Sequence, residues 1–372
     1  MNDNNFVKLG DVAHECRLTW SGDQTNIPIV GLEHFIPGEI ELSSWDSNIE
    51  HTFSKKFTKG QVLLGRRRVY LKKAVVAPCD GICSGDITVI ESTGGILPEL
   101  LPFVVQNDRF FDFAMQGSAG SLSPRVKWEH LKNYEFPLPP LAEQKVLADK
   151  LWAAYRLKES YKKLLVATEE MVKSQFIEMF GCTVERVALS SLCDTFIDGD
   201  WIEAKDQSDS GIRLIQTGNV GIGTFKEKGD KARYISEETF NRLNCTEVVE
   251  GDILISRLPD PVGRACIIPA GLGKSITAVD CTIIRLNDKV LPKFFVAFTN
   301  TPDYAMQIKK VLSGTTRLRV SRANLGKIQV SLPSIGKQQQ FVTIAEQADK
   351  SGFELRKSIE AIDAVIKSLI NC

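Results

Sequence analysis

Two long stretches of the chain carry apolar residues at alternating spacings of three and four, the pattern of a helix that packs along a seam. The clearer stretch starts at Phe341, and no proline interrupts it. A stretch 194 residues earlier, from Leu147, follows the same pattern less regularly. The pattern predicts two long helices that pair as an antiparallel coiled coil. The predicted seam residues are Leu147, Leu151, Tyr161, Leu165, Val172, Leu355, Ile359, Ile362, Ile366 and Leu369.

The segments that precede these helices contain short apolar runs separated by glycine, which predict strands and turns. The two segments repeat each other: the offset of 194 residues relates Gly120 to Gly314, Arg125 to Arg319 and Gln144 to Gln338. A repeat of this length predicts the architecture before any local pattern does. We expect an α+β chain with a β-rich domain over residues 1–135, a proline-led helix over 136–180, a second β-rich domain over 181–329 and a second proline-led helix over 330–372.

The composition sets few limits on the partner. The formal net charge is zero and the hydrophobic content is 43%, which is ordinary for a soluble globular protein. The N-terminal residues have no signal-peptide pattern and no apolar stretch is long enough to span a membrane, so we expect a cytoplasmic protein without a membrane partner. The nine cysteines form no CxxC pair and the four histidines lack ligand spacing, so no metal site is predicted.

The local distribution of charge is uneven. Residues 55–73 hold eight basic residues and no acid, and residues 309–327 hold six basic residues and no acid. Such segregation suits a face that binds a polyanion. The candidate phosphate and base contacts in these runs are Lys55, Lys56, Lys59, Arg66, Arg67, Arg68, Lys72, Lys73, Arg317, Arg319 and Arg322. If the first run continues a strand, alternation sends Arg66 and Arg68 to one face and Arg67 to the other.

Polar loops of the second β-rich domain add further candidates, because loops on a strand scaffold are where recognition residues concentrate. Glutamine and asparagine can read adenine, and arginine can read guanine, from the major groove. The candidates are Arg213, Gln216, Asn219, Arg257 and Arg264. The competing interpretations are structural: a lysine-rich solvated strand edge for residues 55–73, and a turn that joins domain to helix for residues 314–322.

The chain lacks the strings that DNA-modifying enzymes use. No Asn-Pro-Pro-Tyr or Asp-Pro-Pro-Tyr is present to hold a flipped adenine, and no glycine-rich strand-to-helix turn typical of an S-adenosylmethionine pocket is present. We therefore predict no catalytic residue in this chain. Any chemistry on DNA has to come from a partner.

The prolines before the helices carry a family resemblance. Residues 136–145 (FPLPPLAEQK) resemble the proline-rich approach to the first spacer helix in DNA specificity (S) subunits of type I restriction-modification systems. Residues 330–338 (VSLPSIGKQ) resemble the second approach, with Ser334 and Gly336 as departures. The order of domain, helix, domain and helix matches this family across the whole chain.

This resemblance implies that each β-rich domain is a target recognition domain for one half of a bipartite, asymmetric site in double-stranded DNA. It implies helices that set the spacing and dock two methyltransferase (M) subunits for adenine methylation. A further restriction (R) subunit would make the complex an ATP-driven nuclease. S-adenosylmethionine, ATP and Mg²⁺ are then expected on the partner subunits, and the chain itself is expected to be non-catalytic.

Three other functions stay open on the sequence. The two long helices would also suit a coiled-coil interaction or antirestriction protein, although the basic runs without acids argue against that hypothesis. It also suits the S chain of a related bifunctional restriction-methylation enzyme. A nuclease or methyltransferase in its own right is disfavoured by the missing motifs.

Overall fold

The structure, a computed structural model, describes residues 6–120, 123–181 and 185–371. The chain divides into two compact units: residues 1–162 together with 357–372 form unit 1, and residues 163–356 form unit 2. Each unit combines short strands with part of each of the two long helices. Among the described residues, no helix is long and apolar enough to cross a membrane.

Unit 1 contains nine described strands, four short helices and the start of the first long helix. Two 3-10 turns lie at Leu32–His34 and Val69–Leu71. The strands are β1 (Phe6–Lys8), β2 (Ala13–Cys16), β3 (Ile29–Val30), β4 (Lys55–Phe57), β5 (Val62–Gly65), β6 (Ala74–Val76), β7 (Gly81–Cys83), β8 (Ile87–Ser92) and β9 (Glu135–Pro137). The helices are α1 (Leu9–Val12), α2 (Leu101–Val105), α3 (Asp108–Gln116), α4 (Trp128–Leu131) and the long α5 (Leu141–Phe180).

Unit 2 follows the same plan with ten described strands. The strands are β10 (Arg186–Ala188), β11 (Cys193–Asp198), β12 (Gln207–Ser208), β13 (Ile212–Ile215), β14 (Arg233–Ile235), β15 (Ile253–Ser256), β16 (Ala265–Ile267), β17 (Ser275–Thr277), β18 (Cys281–Leu286) and β19 (Gln329–Ser331). The helices are α6 (Glu237–Leu243), α7 (Pro292–Phe298), α8 (Pro302–Val311), α9 (Arg322–Leu325) and the long α10 (Ile335–Asn371). The 3-10 turns are Leu189–Leu192, Ala204–Asp206, Thr217–Asn219 and Gly229–Lys231.

The repeat in the sequence is a repeat in topology. The main sheet has the order β2-β8-β5-β6 in unit 1 and β11-β18-β15-β16 in unit 2, antiparallel throughout. A parallel pair, β3 with β7 and β13 with β17, belongs to the second sheet of each unit. A two-stranded antiparallel ribbon, β1-β9 or β10-β19, leads toward the long helix. The two units therefore share one fold.

The central strand of each main sheet is buried on both faces, which explains its continuous apolar sequence. Along β5, Val62 and Leu64 enter one core and Leu63 enters another, since successive side chains of a strand point to opposite faces. Along β15, Ile253 and Leu254 divide in the same way. The helices of each unit cover one face of its sheet.

The two long helices run antiparallel where they meet. In unit 1, Lys158 of α5 pairs with Asp363 of α10 at 2.7 Å between Nζ and Oδ1. In unit 2, the Phe176 and Phe341 rings pack edge to face with centroids 5.1 Å apart, and the Glu169 carboxylate lies 3.2 Å from Arg356. The predicted α+β fold with an antiparallel pair of long helices is confirmed.

All ten predicted seam residues are buried or half-buried. Leu151 and Ile366 lie in the core of unit 1, with Leu147, Ile362 and Leu369 packed against it. The remaining five are half-buried, namely Tyr161, Leu165, Val172, Leu355 and Ile359.

A buried glutamine fixes the start of each long helix. The Gln144 amide accepts from Leu97 N at 2.9 Å and donates to the carbonyls of Gly95 and Pro139. The Gln338 amide makes the same three bonds, to Leu291 N, Lys289 O and Pro333 O. The two glutamines are 1% and 0% exposed. Each therefore joins the loop after the main sheet to the proline-led start of its helix.

Candidate nucleic-acid interface

The basic run at residues 55–73 leaves the sheet before its arginines. Strand β5 ends at Gly65, and both Arg68 and Lys72 adopt left-handed backbone with φ of 52° and 51°. The expectation that strand alternation would sort Arg66, Arg67 and Arg68 between two faces is therefore wrong. The physical reason is that a left-handed residue turns the chain, so the period of two stops at the end of the strand.

Arg66 lines an open groove of unit 1 with a volume of about 820 Å³. Its Nε is buried and has no hydrogen-bond partner among the described residues. Lys55, Arg17 and Lys127 also line the groove, as does the Trp128 side chain. The groove thus combines four cationic side chains with two aromatic ones, Phe53 and Trp128.

Acids of the groove neutralise part of this charge. Glu15 lies 2.8 Å from the Arg17 guanidinium and 3.5 Å from Lys55 Nζ. Glu129 lies 3.2 Å from the same guanidinium. Arg66 and Lys127 are left as the cations of this groove that have no ion pair in the described part of the chain.

Most other cations of the run have partners within the unit. Arg67 Nε donates to Ser123 Oγ at 2.6 Å, and Lys72 Nζ lies 2.6 Å from Asp108 Oδ1. Lys73 donates to a backbone carbonyl at 2.6 Å, and Lys56 lies over the Trp20 ring. The described residues offer no side-chain partner to Lys59 and Arg68, which are both exposed.

Asp86 anchors the loop that crosses this region. Arg125 Nε donates to its carboxylate at 2.7 Å, and Arg67 lies 3.5 Å from the second oxygen. The Arg125 hydrogen bond holds the pKa of the Asp86 carboxyl below its ordinary value. Arg125 is therefore part of the framework of unit 1.

The glycine-led loop of unit 2 presents three free arginines. Ser313 and Arg319 exchange two backbone hydrogen bonds of 2.9 Å, which close the loop. Gly314 has φ of 100°, and a Cβ there would lie 2.5 Å from the Arg317 carbonyl, so only glycine fits without strain. Arg317, Arg319 and Arg322 are exposed, and none has a side-chain partner among the described residues.

The equivalent loop of unit 1 is closed by the same pair of backbone hydrogen bonds, and its arginine is paired differently. Ala119 and Arg125 exchange the matching pair of hydrogen bonds, and Gly120 has φ of 116°. Arg125, the counterpart of Arg319, is paired with Asp86, whereas Arg319 is free. The shared glycine therefore preserves the loop, and its arginines differ between the units.

The loop candidates of unit 2 are largely engaged by their own unit. Arg264 donates to the carbonyls of four residues, two in the proline loop and two near Thr217–Asn219. Asn219 is 2% exposed and its amide bonds to the backbone of Gln216 and Lys226. Gln216 is half-buried, and its side-chain amide makes no hydrogen bond within the part of the chain that the structure describes.

Two of the arginines predicted to contact DNA in unit 2 are held by acids. Arg213 is 8% exposed, lies against the Glu227 carboxylate and faces the Tyr234 ring. Arg257 Nε lies 3.3 Å from Asp198 Oδ1. Arg257 is the counterpart of Arg66: both backbone nitrogens bond at 2.9 Å to an equivalent aspartate carbonyl.

The sequence profile described as "Type I restriction modification DNA specificity domain" matches residues 183–363. The specificity subunit of the type I restriction enzyme MjaVIII of Methanocaldococcus jannaschii is 21% identical, over 84% of this chain and 75% of that protein. The EcoBI specificity subunit of Escherichia coli is 22% identical, over 71% of this chain and 64% of that protein.

The solved type I restriction-modification S subunit from M. genitalium superposes with a TM-score of 0.59 at 12% identity, over 100% of this chain and 96% of that one. A chain solved for complex assembly and conformational transition of the type I R-M system gives the same TM-score at 17% identity, over 98% and 96%. The sequence profile, the relatives and the fold together support a type I restriction-modification specificity subunit. At these low identities the likeness to the solved structures shows the fold alone.

Several surface residues suited to nucleic-acid contact lie outside the set predicted from the sequence. Arg17 and Lys127 lie outside the basic runs, and only the folded sheet brings them to Arg66. Tyr70 lies inside the first run and is 52% exposed, and Trp201 of unit 2 is 70% exposed. An aromatic residue within a basic run was the available signal for Tyr70, because exposed aromatics are uncommon and suit nucleic-acid contacts.

Proposed function

We propose that this chain is the DNA-reading subunit of a type I restriction-modification complex. In this proposal residues 1–135 and 181–329 are two target recognition domains, each bound to one half of a bipartite, asymmetric site. The observation that carries the proposal is the repeated unit with unequal cations: the same fold occurs twice, and the two copies present different free cations on equivalent loops. Two similar folds with different surfaces suit a site with two unlike halves.

In the first domain, the proposed phosphate contacts are the cations of the basic run that lack side-chain partners among the described residues, Lys59, Arg66 and Arg68. Phosphate contacts position a protein on DNA, and contacts to base edges specify the sequence. Tyr70, two residues after the left-handed Arg68, is exposed as well. We assign Lys55, Lys72 and Lys73, whose ammonium groups are bonded within the unit, to supporting roles.

In the second domain, Arg317, Arg319 and Arg322 form the proposed phosphate-binding loop. Three exposed guanidinium groups within six residues, on a loop closed by its own backbone, can face a DNA strand with little further ordering. Arg264 and Asn219 then shape the neighbouring loops, because their polar groups already bond to backbone. Gln216 keeps its amide available to a base edge.

The long helices are proposed to dock two methyltransferase subunits, with a restriction subunit as a possible further partner. Adenine methylation and ATP-driven cleavage would be carried out by those partners, which would hold S-adenosylmethionine, ATP and Mg²⁺. The chain itself is proposed to be non-catalytic, in keeping with the missing motifs in its sequence. The complex is proposed to act on DNA in the cytoplasm.

The deciding experiment is co-expression with the methyltransferase encoded beside this chain, followed by genome-wide mapping of methylated adenines. We expect one bipartite motif with two unlike halves and a fixed gap, which disappears when this chain is omitted. Methylation that is absent, or unchanged without the chain, contradicts the proposal and favours a coiled-coil interaction or antirestriction protein. Methylation by the purified chain alone would show an enzyme in its own right.

The loop assignment is tested with the variant R317Q/R319Q/R322Q in the reconstituted complex. Removing phosphate contacts weakens binding for all sequences alike and lowers the dependence of log affinity on log salt by about one per contact, here by up to about three. The matched control, K163Q/K173Q/K350Q, removes the same charge from exposed helical positions of unit 2. Equal affinities and salt slopes for the two variants would reject the loop assignment.

The groove of unit 1 has its own test. Replacing Arg66 and Arg68 with glutamine is expected to weaken binding at one half-site and to leave the other unchanged. K145Q/K150Q, which removes two exposed charges from the first helix, serves as the control. Unchanged binding and methylation in R66Q/R68Q would count against the assignment of this surface.

A further inference from the structure

Three potential metal ligands meet on the main sheet of unit 1. His14 and Cys16 lie two residues apart on edge strand β2, so their side chains share a face. Glu91 lies on β8 directly opposite His14. The imidazole nitrogen, the thiol sulfur and a carboxylate oxygen all lie within 4.8 Å of one another.

The distances from the sulfur to the other two ligand atoms are close to those around a tetrahedral ion. Cys16 Sγ lies 3.6 Å from His14 Nε2 and 3.1 Å from Glu91 Oε2. Zinc at about 2.3 Å from sulfur and about 2.0–2.2 Å from nitrogen or oxygen separates such ligands by about 3.6 Å. The sulfur–nitrogen distance equals this separation, and the Glu91 oxygen lies closer to the sulfur, so binding would need only a small movement of that carboxylate.

A second group orders the carboxylate. Gln61 is 6% exposed, and its Nε2 donates to Glu91 Oε2 at 3.1 Å and lies 3.4 Å from Cys16 Sγ. Its carbonyl oxygen accepts from Thr58 N at 2.8 Å, which fixes the direction of the amide. Hydrogen bonds of this kind orient the ligands of metal sites and raise metal affinity.

The equivalent place in unit 2 already contains a cation. By strand register and the repeat, Glu91 corresponds to Arg285 and Gln61 to Asp252. The Arg285 guanidinium binds the 2%-exposed Asp252 carboxylate through two bonds of 2.7 Å. In unit 1 the position holds a carboxylate, and no lysine or arginine ion pair reaches Glu91 within the described ranges.

We propose that His14 Nε2, Cys16 Sγ and Glu91 Oε2 form a site for a divalent ion of the Zn²⁺ class, with one coordination position left to water. Nitrogen, sulfur and carboxylate oxygen together are the ligand set that zinc accepts. The ion replaces the thiol proton that now lies between Cys16 and Glu91, and that proton leaves to solvent. A +2 ion then balances one thiolate and one carboxylate, as Arg285 balances Asp252.

The site would fasten the edge strand of the first recognition domain. Strand β2 is the outer strand of its sheet, and the ion would link it to β8 by bonds outside the backbone ladder. The metal-free thiol is protonated at neutral pH, since burial and the Glu91 carboxylate raise the pKa of Cys16 to about 12. Metal binding at this site does not depend on the proposed DNA-reading function.

The test uses the full chain, freed of metal with a chelator and titrated with Zn²⁺ by calorimetry and with Co²⁺ by absorption. We expect one Zn²⁺ per chain and a Co²⁺–thiolate charge-transfer band. C16S, H14Q and E91Q should each lower the Zn²⁺ affinity at least about tenfold, since losing an orienting group alone costs about 10–100-fold. C79S and H51Q, which alter a thiol and an imidazole outside the cluster, should bind like the parent chain.

Two results would overturn the proposal: no Zn²⁺ or Co²⁺ binding by the parent chain, or equal binding by the triple variant H14Q/C16S/E91Q. Equal binding would assign the ion to other thiols. Far-ultraviolet circular dichroism of the metal-free variants checks their fold. If a variant fails to fold, the parent chain still decides the matter, because a Co²⁺ spectrum without a thiolate band contradicts Cys16 ligation.

Discussion

Gln144 and Gln338 show how one residue type can set the geometry of a whole repeat. Each glutamine satisfies one backbone N–H and two carbonyls in a place without solvent. A buried polar group without a partner is costly, so the same side chain is needed in both copies. The sequence repeat keeps this residue for reasons of hydrogen bonding rather than of DNA contact.

Replacing Gln338 with alanine is expected to destabilise the chain by roughly 2–4 kcal/mol, because it leaves buried backbone groups unpaired at about 1–3 kcal/mol each. Urea unfolding followed by circular dichroism measures the change. Gln339 is the matched control: it is the exposed neighbour in the same turn, and Q339A should change stability by less than about 0.5 kcal/mol. Similar losses in the two variants would refute the role of Gln338.

Asp86 gives a prediction for the pH dependence of stability. The hydrogen bond from Arg125 lowers the folded-state pKa of this carboxyl, so the unfolded chain binds its proton more tightly. The ionised group therefore stabilises the fold above the unfolded pKa of about 3.9. This contribution is lost as the pH falls through the folded pKa.

We expect D86N to be less stable than the parent chain at pH 7, by roughly 0.5–1 kcal/mol for a partly exposed pair. The difference should shrink as the pH is lowered below about 4. Urea midpoints measured between pH 7 and pH 3 test this. A difference that stays constant over that range would show that the carboxylate charge is not involved.

At the scale of the element, the seam of the helix pair contains a charge. Lys158 is 8% exposed, at a position where the heptad pattern requires an apolar residue. The charge is tolerated because Asp363 Oδ1 lies 2.7 Å from Lys158 Nζ. The less regular seam of the first helix is thus compensated by an ion pair with the second helix.

Removing one partner of this pair should cost more than replacing the lysine with an apolar residue. D363A leaves a buried ammonium unpaired and is expected to destabilise unit 1 by roughly 1–3 kcal/mol, less than a fully buried pair because Asp363 is partly exposed. K158M keeps the volume and removes the charge, and should stay within about 1 kcal/mol of the parent chain. Thermal unfolding compares them; a larger loss in K158M would contradict this account.

At the scale of the whole molecule, the repeat preserves the fold and varies the charge. Arg66 and Arg257 occupy the same backbone position, yet Asp198 lies beside Arg257 while Arg17 lines the groove of Arg66. Arg125 and Arg319 differ in the opposite sense, since Arg125 of unit 1 pairs with Asp86 and Arg319 of unit 2 has no side-chain partner among the described residues. Such substitutions leave the sheets intact and alter which guanidinium groups are free for a ligand.

The proposed role of the helices leads to a prediction for the complete complex. Removing one heptad from each helix, residues 162–168 and 353–359, keeps the 3.5-residue repeat in phase. We expect the mapped methylation motif to keep both half-sites and to change its gap. Altered half-sites with an unchanged gap would show that the helices do not set the spacing. An exposed double substitution on the same helices, K163Q/K350Q, should leave the motif unchanged.

The sequence by itself determined the architecture. Helices and strands follow from the spacing of apolar residues, a local property, and the repeat at 194 residues predicts two copies of one fold. The proline-led helix starts and the glutamine that follows them were visible for the same reason. These features need no knowledge of which distant residues meet.

Only the tertiary structure decided which side chains are available. Lys72 meets Asp108, 36 residues away, and Cys16 meets Glu91, 75 residues away. A basic run in the sequence therefore includes cations that pair with acids in the folded chain. In the same way, the spacing of histidines and cysteines along the chain cannot show a carboxylate that lies on the neighbouring strand. Charge pairing and metal ligation depend on distances in space, and strand pairing sets those distances between residues far apart in sequence.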